Sequence, residues 1–229
     1  GLAGKPVADI RIDGAGKKVT RSDNCRVSDL SVSSDNLTFT YEAKSLPYPI
    51  DTSYYDNEKH TQADALSVIP FMDEMNYEGL SVSGLSDGYY GLTIGGEFIG
   101  RFTARELERG INMALLQNTP QYKQAMKIRQ MNEERWLKER KMREFYWVEY
   151  NLMRKTGMLW ACNEAAVDTL RKYRPHDIFL QWNGDLWLQY MHKGIREDCV
   201  NEQQDLVNRI YEQNKPIPLR IEIKKFTDL

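Results

Sequence analysis

The sequence has almost no net charge and no long hydrophobic run, and both absences exclude classes of function. Its 229 residues include 31 Lys and Arg against 33 Asp and Glu, which gives a formal net charge of −2. Such a chain has no general attraction for phosphate backbones, so we predict no nucleic-acid partner. No apolar stretch approaches the roughly 20 residues that cross a bilayer, so we predict no membrane span. Gly1–Thr20 also lacks the pattern of a signal peptide.

Cysteine is scarce as well. The three cysteines, Cys25, Cys162 and Cys199, have no CxxC spacing, so neither a disulfide framework nor a thiolate zinc site is indicated. We interpret all three as small core residues, with one disulfide as the alternative.

Recognisable catalytic motifs are missing too. The histidines His60, His176 and His192 have no metal-binding or catalytic spacing, and each is predicted to lie at the surface or in a loop. Gly84–Gly88 matches G-x-S-x-G, but a nucleophile elbow needs a strand before it and a helix after it. Strand patterns flank it on both sides, which favours a hairpin turn over a nucleophilic Ser86. We predict no catalytic residue, no cofactor and no metal site in this chain.

Patterns of period two indicate β-structure in the first part of the chain and at its end. Predicted strands are Ala8–Ile12, Leu37–Ala43, Leu80–Val82, Tyr90–Ile94, Phe98–Ile99 and Leu219–Ile223. Asp87–Gly88 and Gly95–Gly96 are dipeptides typical of tight hairpin turns. Leu46–Lys59 is predicted to be an irregular connection, and Ala63–Met75 a short helix interrupted at Pro70.

Helical patterns begin at Thr103, which has capping-box spacing to Glu106 and starts a helix whose apolar face extends to Leu115. Thr119 and Pro120 have the residue types of a helix cap and a first helical position. Three more helices are predicted at Gln121–Lys155, ended by Gly157, at Asn163–Tyr173 and at Asp185–Gln213.

These elements predict an α+β fold. A small antiparallel β-sheet or sandwich, made of the N-terminal strands, the central hairpins and the final strand, packs with a helical part that contains one very long helix. We predict a mainly β region at residues 1–102, a helical region at 103–215 and a returning strand at 216–229, together forming one compact unit.

The second half of the long helix, Met142–Met153, has aromatic and apolar residues on more than one side, and one narrow stripe cannot bury them all. Either other helices of this chain surround that half as a core, or part of its surface docks a partner. The candidate interface residues are Trp136, Phe145, Tyr146 and Trp147.

Several segments of the chain resemble the region that follows the catalytic domain in bacterial SGNH, or GDSL-like, hydrolases. They are Asn76–Val82, Gly84–Tyr90, Ile94–Thr103, Gly110–Asn112, Asn118–Gln121 and Asn132–Trp136. The similarity extends from about Val7 to the last strand. Such hydrolases act on ester bonds and need a Gly-Asp-Ser block and an Asp-x-x-His pair. Neither string occurs here, so no catalytic residue is carried over.

The resemblance implies a non-catalytic C-terminal accessory module whose partner is the upstream catalytic domain of the same chain, through an interface that contains Trp136 and neighbouring aromatic residues. It also implies a periplasmic or secreted protein whose signal peptide lies upstream. One alternative is a carbohydrate-binding or protein-interaction module, since five Trp and 13 Tyr offer stacking surfaces for sugar rings. Another is an autonomous enzyme of unrecognised type.

Overall fold

The computed structural model describes residues 5–52 and 61–226 and has a mixed α+β fold, which confirms the predicted fold class. The chain divides into two compact units, one formed by Gly1–Arg129 with Gln213–Leu229 and the other by Gln130–Glu212. The predicted boundaries of the β region, the helical region and the returning strand, after residues 102 and 215, are not tested by this division and stay predictions. Among the helices of the described ranges, none combines the length and apolar character that a bilayer span requires.

Two β-sheets form the first unit. The described strands are β1 (Ala8–Asp13), β2 (Lys18–Asp23), β3 (Cys25–Val32), β4 (Asn36–Ala43), β5 (Glu78–Ser83), β6 (Tyr89–Ile94), β7 (Glu97–Thr103), β8 (Ile111–Asn112) and β9 (Leu219–Lys225). One sheet has the order β2-β1-β5-β8 and the other β3-β4-β9-β6-β7. Because β9 lies between β4 and β6, the prediction that the final strand returns to the early sheet is confirmed.

Alternating burial explains why these segments are strands. Leu37, Phe39 and Tyr41 on β4 are buried, as are Ile221 and Ile223 opposite them on β9, while the residues between them are less buried. A fully buried side chain of this size contributes about 1.5–3 kcal/mol relative to exposure. The apolar faces of both sheets therefore share one hydrophobic core.

The predicted hairpin at Asp87–Gly88 does not form, because the strands on its two sides belong to different sheets. β5 pairs with β1 in parallel on one side and with β8 on the other, so both of its edges are occupied. β6 therefore belongs to the other sheet, and the hairpin prediction for this connection was wrong. The Gly95–Gly96 turn between β6 and β7 is confirmed, with φ values of 58° and 85° that a side chain would disfavour.

Three of the helices begin at the capping residues that the sequence predicts. The helices are α1 (Phe71–Glu74), α2 (Ala104–Arg109), α3 (Pro120–Val148), α4 (Glu164–Tyr173), α5 (Ile178–Tyr190) and α6 (Lys193–Gln213). The Thr103 hydroxyl accepts from the Glu106 amide, and the Glu106 carboxylate accepts from the Thr103 amide, as the capping box predicts. α3 begins at Pro120, and α4 is capped by Asn163.

Two helix predictions need correction, and one loop prediction is confirmed in part. α2 ends at Gly110, whose φ of 95° interrupts the helix, so the predicted helical face to Leu115 is a short strand followed by a 3₁₀ turn. The helix predicted at Asp185–Gln213 is two helices, because the Arg196 guanidinium binds the carbonyls of Tyr190 and Met191 at the break between them. Leu46–Lys59 is irregular as far as residue 52, and the rest of that segment lies outside the described residues.

In the second unit, the end of α3 continues into a π-helical turn, Glu149–Met153, and its apolar side chains pack with residues of the later helices. Phe145, Val148 and Met153 are fully buried there together with Trp187 of α5. The interpretation of this half of the helix as a core surrounded by other helices is confirmed for these residues.

Candidate functional site

The structure separates the four predicted interface residues. Phe145 is fully buried and belongs to the core of the helical unit, so it has no surface to offer a partner. Trp136 and Tyr146 are 45% and 39% exposed, and Trp147 is partly buried. Tyr146 and Trp147 lie in two different groups of aromatic rings, and the group of Trp147 includes exposed rings of α5.

Trp147, Phe179 and Trp182 form that group, which we call the α3–α5 aromatic surface. The ring centroids of Trp147 and Phe179 are 5.2 Å apart with an interplanar angle of 37°, and those of Phe179 and Trp182 are 5.6 Å apart at 79°. Phe179 is 49% exposed and Trp182 is 66% exposed. The rings border a cavity of about 300 Å³ whose other lining residues are Arg143, Glu144 and Asn183.

This surface exists because α5 is apolar on two sides. Leu180, Trp187 and Tyr190 are buried in the helical unit, while Phe179 and Trp182 project away from that core and are exposed. A surface helix normally has one apolar stripe, which faces the core. Sequence reasoning missed Phe179 and Trp182 because it began this helix at Asp185. The signal was available, since the Asp177 carboxylate accepts from the Phe179 and Leu180 amides as a helix cap directly before an apolar run.

A second aromatic cluster lies where α3 passes into the π-helical turn. Trp160 contacts Tyr146 and Tyr150, with centroid distances of 6.0 and 5.9 Å and interplanar angles of 86° and 87°. Trp160 has a φ of 62°, a backbone conformation that costs a non-glycine residue about 1–3 kcal/mol.

A buried carboxylate holds this strained residue. Glu149 is 1% exposed, its Oε1 accepts from Trp187 Nε1 at 2.8 Å and its Oε2 accepts from the Trp160 amide at 2.8 Å. The π-helical turn begins at Glu149 and places the side chain inward, which is consistent with the frequent occurrence of such turns at functional sites. Glu149 thus connects the core of the helical unit to an exposed ring.

Ser86, the serine of the G-x-S-x-G string, lies between β5 and β6, with no helix after it. Its hydroxyl accepts from the Lys225 ammonium at 2.7 Å and lies 3.1 Å from the Tyr90 hydroxyl. A charged lysine donates hydrogen bonds and has no lone pair that could take a proton. The contact therefore orients Ser86 without providing a base.

Cys162 was predicted to be a core residue, and this prediction was wrong: Cys162 is exposed, whereas Cys25 and Cys199 are buried, and all three are free thiols. It lies in the loop just before the Asn163 cap of α4, where no apolar face covers it. Its Sγ is 3.3 Å from His192 Nδ1.

The Cys162 and His192 pair has only two of the three parts of an activated nucleophile. Such a nucleophile needs a base and a third group that orients the base. Within residues 5–52 and 61–226, no carboxylate forms a hydrogen bond or an ion pair with the His192 ring. Of the other histidines, His176 is exposed, and His60 lies outside the described residues.

Glu78 is a buried glutamate of the first unit with a raised pKa. It is fully buried on β5, where its carboxylate accepts from the Tyr41 hydroxyl at 2.7 Å and from Gln121 Nε2 at 3.3 and 3.4 Å. Removal from water raises the pKa of Glu78 to about 7, and the two hydrogen bonds oppose that shift. Because the carboxyl is closed off from solvent, it can influence stability but cannot touch a substrate.

No cluster of three or more His, Cys, Asp or Glu side chains with an arrangement for metal binding is found in the described ranges. Neither Ser86 nor Cys162 has a complete set of partners for nucleophilic catalysis among the described residues. The exposed aromatic rings of the helical unit are therefore the candidate functional site.

Comparison with protein families and solved structures finds proteins that are similar to this chain. Residues 126–215 match the family described as the diltiazem deacetylase C-terminal helical domain. A solved structure of a gut microbial diltiazem-metabolizing enzyme is similar over 98% of this chain, with a TM-score of 0.91 and 36% sequence identity. The match covers 51% of that enzyme's chain, so this chain spans about half the length of the structure it resembles. No curated protein sequence matches the chain.

Proposed function

We propose that this chain is a non-catalytic C-terminal module of an SGNH-type ester hydrolase, and that it supports or covers the catalytic domain of its parent polypeptide. The observation that carries the proposal is the close similarity of nearly the whole chain to about half of a diltiazem-metabolizing enzyme. The match of residues 126–215 to a C-terminal helical domain supports a C-terminal position for this half in the parent chain.

The contacts of Ser86 and Cys162 favour a non-catalytic role for this chain. Acyl transfer by a serine or a thiol needs a base within hydrogen-bond reach and a group that orients this base. Ser86 contacts an ammonium group, and Cys162 contacts an imidazole that no carboxylate of the described residues braces. We therefore assign ester hydrolysis to the other half of the parent enzyme. By similarity to the diltiazem deacetylase family, the proposed substrates are acetyl esters of small molecules. The parent enzyme is proposed to be exported from the cytoplasm.

A carbohydrate-binding module is the alternative that the exposed aromatic rings raise. Several rings in one plane would form a flat platform for a polysaccharide chain, whereas Phe179 and Trp182 meet at 79° and Tyr150 and Trp160 at 87°. This geometry favours contact with another protein surface. Isothermal titration against polysaccharides separates the two functions, since a supporting module is expected to release no heat.

The coding sequence upstream of Gly1 tests the proposed function. We expect a Gly-Asp-Ser block followed by an Asp-x-x-His pair in that extension, and ester hydrolysis by the polypeptide that includes it. An upstream sequence without these blocks, or a longer polypeptide that has them and hydrolyses no ester, would contradict the proposal.

A further inference from the structure

The outer side of α5 leaves large apolar side chains exposed to solvent. Phe179 and Trp182 are 49% and 66% exposed, and Ile178 beside them is exposed as well. Contiguous aromatic surface of this kind is uncommon on monomeric proteins and marks sites of interaction. Trp is also the residue type that most often dominates the affinity of protein interfaces.

The edge of this surface is polar and has charges of both signs. Arg143 and Glu144 of α3 and Asn183 of α5 line the same cavity as the three rings. A central group of aromatic rings with a hydrogen-bonding margin is the usual anatomy of a protein–protein interface. A membrane surface would instead favour a basic margin, which Glu144 does not provide.

The rings also have a fixed arrangement before any partner binds. Trp147 contacts Phe179, and Phe179 contacts Trp182 edge to face. Trp147 belongs to the end of α3, next to the buried Val148, so the cluster is anchored to the core of the helical unit. A preorganised surface loses less side-chain entropy on binding than one that must order its residues.

The size of the similar enzyme indicates the occupant. Because this chain covers 51% of that enzyme, about half of the similar polypeptide consists of residues with no counterpart here. On the proposed function, on which this inference depends, that half is the hydrolase domain. We propose that the α3–α5 aromatic surface, Trp147, Phe179 and Trp182, is the docking surface for the hydrolase domain of the parent enzyme.

Hydroxyl-radical footprinting tests this inference on two proteins, the 229-residue chain and the longer polypeptide that includes the upstream hydrolase domain. Trp182 is 66% exposed in the chain, so burial in an interface core is expected to slow its oxidation by about fivefold or more. Tyr211 of α6 is a matched control, because it is an aromatic residue of the same unit and is 70% exposed. It is expected to be oxidised at the same rate in both proteins.

The outcomes separate this inference from the proposed function. If a hydrolase domain is present and active but Trp182 is oxidised equally in both proteins, the docking surface is wrong and the proposed function stands. If no hydrolase segment precedes the chain, both are wrong. Sedimentation of the longer polypeptide gives a further test: a dimer that dissociates in Trp182→Ala, but not in Tyr211→Ala, would assign the surface to a second copy and overturn the inference.

Discussion

Replacing Glu78 by glutamine is expected to stabilise the first unit at neutral and alkaline pH and to change little in acid. The wild-type carboxyl is fully buried, and its pKa rises from 4.5 to about 7. A group whose pKa is raised on folding favours the folded state below its unfolded pKa. That advantage is lost as the pH rises through the folded pKa, because the folded protein resists ionisation.

The magnitude follows from the size of the shift. One pKa unit corresponds to about 1.4 kcal/mol, so ionisation of Glu78 destabilises the folded chain by roughly 3 kcal/mol between pH 4.5 and pH 8. A glutamine side chain at this position would keep an oxygen for the Tyr41 hydroxyl. Gln121 now donates from Nε2 to both Glu78 oxygens, so its amide must turn over for Oε1 to accept from the new amide. Gln121 Oε1 is buried and accepts no hydrogen bond from the described residues of the wild-type chain.

The assay is urea unfolding of both proteins between pH 4.5 and pH 8, read as the difference in their free energies of unfolding. Other groups titrate equally in both chains and cancel in this difference. Glu108→Gln is the matched control, since Glu108 is an exposed glutamate on α2. A Glu78→Gln difference that stays constant with pH, or one no larger than that of the control, would refute the reasoning.

Three further predictions concern a helix cap, a thiol and a buried hydrogen bond. Thr103→Ala removes the capping box of α2 and is expected to lower the free energy of unfolding by about 1 kcal/mol, measured by urea unfolding. Cys162 is expected to be alkylated rapidly by iodoacetamide in the native chain and the two buried cysteines slowly, as peptide mass mapping will show. Trp187→Phe leaves one oxygen of the buried Glu149 carboxylate without its donor, which is expected to cost about 1–3 kcal/mol in a thermal or urea melt.

Each of these predictions has a control. Thr103→Ser keeps the hydroxyl and should retain most of the stability, so equal losses in both variants would contradict the capping argument. Cys162→Ser should abolish the fast alkylation, and a fast phase that persists would show that a buried cysteine is accessible. Trp187→Phe combined with Glu149→Gln should recover part of the loss, because a neutral amide tolerates a missing donor better than a carboxylate.

Local chemistry made the starts of helices predictable. The Thr103 and Glu106 capping box, the Thr119 and Pro120 start of α3 and the Asn163 cap of α4 each depend on residues a few positions apart. The end of α2 was not predictable in the same way. It depends on the backbone at Gly110 and on pairing with a distant strand, β5.

Long-range pairing also explains the error in the β-region. The sequence at Asp87–Gly88 is typical of a hairpin, but β5 is held between β1 and β8, and no local pattern reveals that both edges of a strand are taken. The candidate site was found in part. The aromatic pattern of the long helix indicated Trp147, whereas its partners Phe179 and Trp182 come from a helix whose start at Asp177 was overlooked.

The most direct test of the account is the rate at which the purified 229-residue chain hydrolyses an aryl acetate. In the proposed function this chemistry belongs to another part of the parent enzyme, so the rate is expected to equal that of buffer and to be the same in Ser86→Ala and Cys162→Ser. Turnover by the wild-type chain that disappears in either variant would contradict it.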